Sequence, residues 1–248
     1  MGTLYIVATP IGNLKDISLR ALEVLKSVDL ILCEDTRVTK KLLARYNIEK
    51  PLLSYHQHSK EDKMQEILDL LLQGKNLALV TDAGTPGVSD PGNELIDWLL
   101  RRAQASSQQD STKTKQLLDY CTIKIVPIPG PSALGALASV AGIPMDKFLF
   151  LGYPPHKKGR RKFFEEVAQS VHPVILYESP YRIVKTLSDL QSISLQNIAT
   201  AKIHSVIVGR ELTKKFETVY RGTIKEILAQ LTKEKPRGEF VIVVYREK

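Results

Sequence analysis

Apolar residues follow two rhythms along this chain. Short unbroken runs, "TLYIVAT" (3–9), "DLILC" (29–33), "NLALV" (76–80) and "TIKIVPI" (122–128), alternate with stretches whose apolar residues recur every three or four positions. Unbroken runs of that length suit parallel strands covered on both faces, and the longer period suits helices with one buried stripe. Ser18 is placed to cap a helix whose apolar face is Leu19, Leu22, Leu25 and Val28. Ser59 with Asp62 resembles a capping box ahead of Ile67, Leu68, Leu71 and Leu72, and Gly74 follows as a stop. A further helix carries Leu95, Ile96, Leu99 and Leu100, and "SALGALASVAGI" (132–143) reads as a buried helix.

Strands alternating with helices predict a mostly parallel sheet with right-handed crossovers, whose ligands bind beyond the carboxyl ends of the strands. The stiff "VPIPGPSA" (126–133) marks a boundary, giving α/β domains over 1–127 and 128–248 that share a cleft. In the second domain, "FLFLG" (148–152), "VILYE" (174–178), "HSVIVGR" (204–210) and "FVIVVY" (240–245) read as strands. "FETVYRGT" (216–223) reads as an antiparallel edge, so this sheet is mixed. "QASSQQDSTKTKQ" (104–116), with Ala105 its one apolar residue, reads as a solvent-exposed insertion.

Composition narrows the class. At 248 residues, 43% hydrophobic and 25% charged, the chain can build real cores. Its start lacks the basic region of a signal peptide, and no apolar run reaches a membrane span. Two isolated cysteines, Cys33 and Cys121, suit neither a zinc site nor a disulfide framework, and a reducing cytoplasm is the simplest setting. The net charge of +8 favours an acidic partner such as RNA.

Familiar nucleotide signatures are missing. No G-x-G-x-x-G follows a strand, and "GPSALGA" (130–136) has Ala136 where a P-loop needs lysine. Four other loops stand out: "ATPIGN" (8–13), "TDAGTP" (81–86), "PIPGPSA" (127–133) and "YESPYR" (177–182). The first three put glycine and proline directly after strands, where a ligand can approach the backbone closely. The third opens a helix whose amides suit a carboxylate, while Asp82 suits a polar or cationic group. Together they suit a zwitterion.

With "EDTR" (34–37), "SYHQH" (54–58), "DAGTPGVSDPG" (82–92) and "RELTKKFE" (210–217), these motifs strongly resemble bacterial 16S ribosomal RNA cytidine 2'-O-ribose methyltransferases. That group lies in the tetrapyrrole-methylase-like superfamily, and the resemblance runs from Thr3 to the C-terminus, interrupted mainly at 104–116. It implies a homodimer of two-domain α/β subunits with S-adenosylmethionine in the interdomain cleft, gripped largely by backbone. Carried over, the contacts fall at Pro10, Asp82, Ala83, Gly84, Thr85, Ser132 and Ala133, near Tyr177, at Gly209 and Arg210, and at Glu239. Thr81 stands where the superfamily more usually has glycine.

The sulfonium carries an activated methyl, so the protein must align a ribose oxygen, exclude water and assist the proton. Glu178 is the first choice as base, with Arg182 orienting it or a phosphate; Asp35, Arg37, Glu211 and Lys214 are the other candidates. Each has a competing structural role: "EDTR" can cap a helix, and Arg210–Glu211 can be an ion pair. "HKKGRRK" (156–162) puts Lys157, Lys158, Arg160, Arg161 and Lys162 ahead of an amphipathic helix, either as a solvated face or as a phosphate-binding lip. If "LLSYHQH" is extended, His56 and His58 share a side, but without a third ligand no metal site is expected. Tyr177 and Tyr181 can stack on a base or simply pack. The leading expectation is 2'-O-methylation of a cytidine in the decoding region of 16S rRNA, on free RNA or the small ribosomal subunit. Its competitors are methylation of a tetrapyrrole or other small molecule, and a non-catalytic RNA-binding assembly factor.

Overall fold

A computed structural model describes residues 2–108, 123–196, 205–233 and 235–246. The chain divides into two compact units, Met1–Ser132 and Ala133–Lys248.

In the first unit, strands β1 (Thr3–Val7), β2 (Leu30–Cys33), β3 (Leu52–Ser54), β4 (Leu77–Val80) and β5 (Lys124–Ile128) form one parallel sheet in the order β3-β2-β4-β1-β5. Successive residues feed opposite cores. Val7, Ile31, Cys33, Ala78 and Val80 pack with helices α1 (Leu19–Ser27) and α2 (Thr36–Arg45). Leu4, Leu32, Leu77 and Leu79 pack on the other face with α3 (Glu61–Leu72) and α4 (Asn93–Gln108). Burial on both faces is why these strands read as unbroken apolar runs. The register pairs Val7 with Ile128 and Cys33 with Val80, so the loops that follow β1, β2, β4 and β5 leave the sheet at one level.

Local chemistry sets the helix ends. The Ser18 hydroxyl accepts from the Ala21 amide at 3.1 Å, the expected cap of α1. Leu19 nevertheless faces solvent, and Ala21 occupies the buried stripe instead. At α3 the cap position is Lys60, without a side-chain cap, because the Ser59 hydroxyl turns back to accept from the His56 amide at 3.0 Å. Gly74 ends α3 at φ +85°; its amide bonds Leu71 O and the Lys75 amide bonds Leu70 O, a Schellman closure. His56–Ser59 form a turn rather than an extension of β3, which removes the common side assumed for His56 and His58. Helix α4 continues through Gln108, so the start of the expected insertion at 104–108 is helical; the remainder of 104–116 and Cys121 lie outside the described residues.

In the second unit, β6 (Leu149–Gly152), β7 (Val174–Glu178), β8 (Ser205–Arg210), β9 (Thr218–Gly222) and β10 (Phe240–Tyr245) make a mixed sheet in the order β6-β7-β10-β8-β9. Only β6 and β7 are parallel, and β9 is the antiparallel edge. Its principal core buries Val206, Val208, Ile242 and Leu176 under α6 (Arg160–Gln169), α7 (Ile183–Gln196) and α8 (Ile224–Leu231). Thr223 and Glu226 close a full capping box on α8. The helix expected over 132–143 is shorter: α5 spans Ala133–Ser139, with Leu137 buried and Val140 exposed. No described helix is long and apolar enough to cross a membrane.

Candidate active site

In the first unit, three glycine–proline corners are bonded into one surface. Thr9 and Gly84 exchange both backbone hydrogen bonds, at 2.8 and 3.0 Å, in a short antiparallel bridge. The Thr9 hydroxyl donates to Thr81 O at 3.0 Å, and the Thr85 hydroxyl donates to Pro131 O at 3.3 Å. Ala8 N donates to Ile128 O, and a Cβ at Gly130 would sit 3.1 Å from the Ala8 methyl, so only glycine fits there without displacement. Gly84 holds φ +81°, a conformation that costs any other residue strain. Thr81 is buried and donates to Asp90 at 3.4 Å. Asp90 thereby pins the far side of the 81–92 loop, and Asn93 holds Gly87 O at 2.7 Å. Pro10, Asp82, Ala83, Gly84 and Thr85 accordingly lie on a braced surface at the strand ends.

Beside this surface, two acidic corners interlock. Asp82 accepts from the Asp35 amide at 3.1 Å, while Glu34 accepts from the Asp82 amide. Burial raises the Asp82 carboxyl above the ordinary aspartate range; the Asp35 amide opposes this and the Asp35 charge adds to it. Burial, reinforced by the Asp82 charge, raises Glu34 as well. Asp35 goes the other way: hydrogen bonds from the Arg37 side chain and amide hold it down at about 2. It is also the N-cap of α2, so the capping role expected of "EDTR" is present. Glu34 is the residue the sequence reading passed over. Its signal was its place as the first residue beyond a buried strand, directly before the capping Asp35.

In the second unit, Glu178 is enclosed. Its side chain has 0% exposure, receives the Thr186 hydroxyl at 2.6 Å and the Ser179 amide at 2.7 Å, and pairs with Arg182 at 2.9 Å. The expected Glu178–Arg182 partnership forms, but its carboxylate has no open edge for a substrate proton, which corrects its choice as base. Arg182 also donates to Pro154 O at 2.9 Å. Arg160, expected on the phosphate-binding lip, is only 7% exposed. Its guanidinium bonds Asp189 at 2.8 Å, Thr186 at 2.9 Å and Pro155 O at 3.0 Å, and lies over the Phe164 ring. Burial thus corrects its assignment too, leaving Lys157, Lys158, Arg161 and Lys162 exposed on that lip, with Arg161 paired to Glu165. The Tyr177 hydroxyl accepts from the Leu134 amide at 3.3 Å, which takes up one of the α5 amides expected to meet a carboxylate. Tyr177 packs edge-on against Phe150 and Tyr153, whereas Tyr181 is exposed.

"RELTKKFE" folds into a strained, ion-paired turn. Glu211 and Thr213 adopt φ +51° and +66°, and the Glu211 backbone amide bonds Glu239 O. Lys214 bridges Glu211 at 2.9 Å and Glu239 at 2.8 Å. Burial alone would raise Glu211, but bonds from Lys214 and the Glu239 amide hold it low; Lys214 is raised because the two carboxylates outweigh its own burial. The ion pair lies between Glu211 and Lys214 rather than Arg210, whose Nε donates to Arg237 O at 2.9 Å. Gly209 has a packing reason to lack a side chain, since a Cβ would sit 3.0 Å from both Leu137 and Leu212. No cluster of three or more metal-ligating side chains occurs among the described residues.

The sequence family of tetrapyrrole (corrin/porphyrin) methylases matches residues 3–228 of this chain. A ribosomal RNA small subunit methyltransferase I of Synechocystis is 42% identical over 98% of this chain and 79% of its own length. Proteins of the same name from Thermotoga maritima and Bacillus subtilis are 39% and 40% identical over 98% of this chain, spanning 98% and 75% of their own lengths. The X-ray structure of a cobalamin biosynthetic enzyme, cobalt precorrin-4 methyltransferase, superposes with a TM-score of 0.66 at 18% identity, covering 98% of this chain and 94% of its own, a likeness of fold. The chain therefore belongs to the tetrapyrrole methylase family, among the relatives of ribosomal RNA small subunit methyltransferase I.

Proposed function

We propose that this protein is an S-adenosylmethionine-dependent methyltransferase that modifies the 2'-hydroxyl of a cytidine in the decoding region of 16S rRNA, acting in the cytoplasm as a homodimer. The observation that carries this reading is 39–42% identity, over nearly the whole chain, to relatives named for small-subunit rRNA methylation. The exposed cations Lys157, Lys158, Arg161 and Lys162 favour RNA over a tetrapyrrole.

The residues present fit the cofactor. Gly84, at φ +81°, carries no side chain to keep a ligand from the 82–85 backbone, while Gly130 lets its corner pack closely on Ala8. Asp82, whose carboxyl is raised by burial with the Asp35 charge adding to it, is a group that a bound cation stabilises. Pro10, Asp82–Thr85 and Ser132 in the first unit, and Ala133, Tyr177, Gly209–Arg210 and Glu239 in the second, are the proposed contacts. When bound, S-adenosylmethionine supplies an activated methyl group. The chain's own task is to hold the ribose oxygen in line, keep water out and receive a proton. Among the carboxylates, Asp35 at about 2 is a weak base and Glu178 is enclosed, whereas raised Glu34 is better matched to accept a proton. Arg37, exposed at the start of α2 with its guanidinium forked onto Asp35, is the proposed cation for a developing alkoxide.

Methyl transfer from labelled S-adenosylmethionine should be assayed on small ribosomal subunits, naked 16S RNA and precorrins. Label in the ribose of a single cytidine supports the reading. Label only on precorrins transfers the protein to small-molecule chemistry, and cofactor binding without transfer makes it an assembly factor.

A further inference from the structure

The second unit carries a basic, aromatic groove that shares only Arg210 with the proposed cofactor contacts. Its volume is about 940 Å³, and its lining includes Arg210, Phe216, Tyr220, Lys233, Lys235 and Arg237. Strand alternation puts it on a definite face. Gly209 turns toward Leu137 of α5, so its neighbour Arg210 shares the opposite face with Val206 and Val208, which pack under α8. The groove therefore opens where β8 and β9 meet the C-terminal end of α8, on the face away from α5.

Three features of its lining belong together. Phe216 is 67% exposed, a large ring left in water beside the ammonium of Lys215 at 5.5 Å. Lys233, Lys235 and Arg237 are exposed and make no ion pair among the described residues. Among the described lining residues the one carboxylate, Glu211, is already matched by Lys214, so the remaining charge of those residues is positive. The wall is also rigid: Glu211 and Thr213 sit at positive φ, a Cβ at Gly238 would collide with the Glu211 side chain, and Glu217 accepts from the Thr213 amide. Cations that track a backbone around an exposed ring are what an unpaired nucleic-acid strand requires, since every base has a face to stack and every linkage a negative charge.

We propose that this groove binds an unpaired segment of the RNA substrate, with one base stacked on Phe216 and its phosphates held by Lys233, Lys235 and Arg237. The proposal rests on the reading of the protein as an RNA methyltransferase and adds a second RNA-binding surface to the 157–162 lip.

The test uses the full chain, a single-stranded RNA 12-mer followed by fluorescence anisotropy across a salt series, and methyl transfer to small subunits. Phe216→Ala should weaken RNA binding roughly 5- to 150-fold, the range for losing one stacked base. Lys233→Ala with Lys235→Ala should lower the log–log salt slope by about 1.4, at about 0.7 per phosphate contact on a single strand. Calorimetric affinity for S-adenosylmethionine should be unchanged in both variants, which also shows that they fold. Variants that bind RNA with wild-type affinity and slope, while wild type methylates, would overturn the groove and leave the functional reading intact. A wild type that neither binds nor methylates RNA would overturn both. Tighter binding of poly-aspartate than of RNA, indifferent to Phe216→Ala, would assign the groove to a protein partner and also refute the proposal.

Discussion

Thr186→Val is a sharp probe of how the second unit holds its loops. Thr186 is fully buried, and its single hydroxyl serves two charged groups: it donates to Glu178 at 2.6 Å and accepts from Arg160 at 2.9 Å. Valine matches its shape but leaves both charges one partner short in a place water does not reach. A hydrogen bond to a charged group contributes about 1.5–3 kcal/mol. Because the two bonds share one hydroxyl and are not independent, a loss of about 3–4 kcal/mol is expected, below the upper sum. At about 1.4 kcal/mol per factor of ten, global opening of this unit should become roughly 150- to 700-fold more frequent. Hydrogen exchange followed by mass spectrometry resolves this by peptide. Segments covering β7, β10 and α7 should lose that protection, while those covering β1 and β4 keep theirs. Loss of protection smaller than about threefold in β7 would refute the argument. It would mean that Glu178 and Arg160 re-pair or hydrate freely, and the case for Glu178 as a structural rather than a proton-accepting group would fall with it.

Three further outcomes are expected. Asp82→Ala should weaken S-adenosylmethionine binding roughly tenfold or more by calorimetry, about what one hydrogen bond to a charged group contributes; wild-type affinity would remove Asp82 from the site. Burial, aided by the Glu94 charge, pushes the Tyr55 phenol from 10.0 up to about 12. Because its folded value is raised, its contribution is intact below pH 10 and is lost as pH climbs toward 12, by up to about 2.7 kcal/mol. Urea unfolding between pH 9 and 11.5 should therefore fall less steeply with pH in Tyr55→Phe, and identical pH dependence would contradict this. Replacing Lys157, Lys158, Arg161 and Lys162 together by alanine should reduce the salt slope for single-stranded RNA by up to about 2.8, at about 0.7 per contact; an unchanged slope would return the lip to an ordinary solvated face.

What the sequence determined by itself was everything carried by local periodicity and by backbone chemistry. Unbroken apolar runs such as 77–80, too short for a helix and followed at once by a glycine–proline corner, read as strands buried on both faces. Ser18 and Gly74 declare helix ends through one hydroxyl and one permitted φ. The corners at 8–13, 81–86 and 127–133 were legible because glycine and proline there restrict the chain whatever surrounds it. Only the tertiary structure decided which polar side chains are spent on the fold. Arg160 and Lys157 look alike in a basic run, yet one is buried against Asp189 and Thr186 and the other faces solvent. Glu178 ends β7 and Glu34 follows β2 directly, but Glu178 meets an arginine and a threonine from the start of the next helix, α7, while Glu34 meets a loop 48 positions on, at Asp82. Pairing partners distant in sequence set burial and charge balance, and no local pattern encodes them.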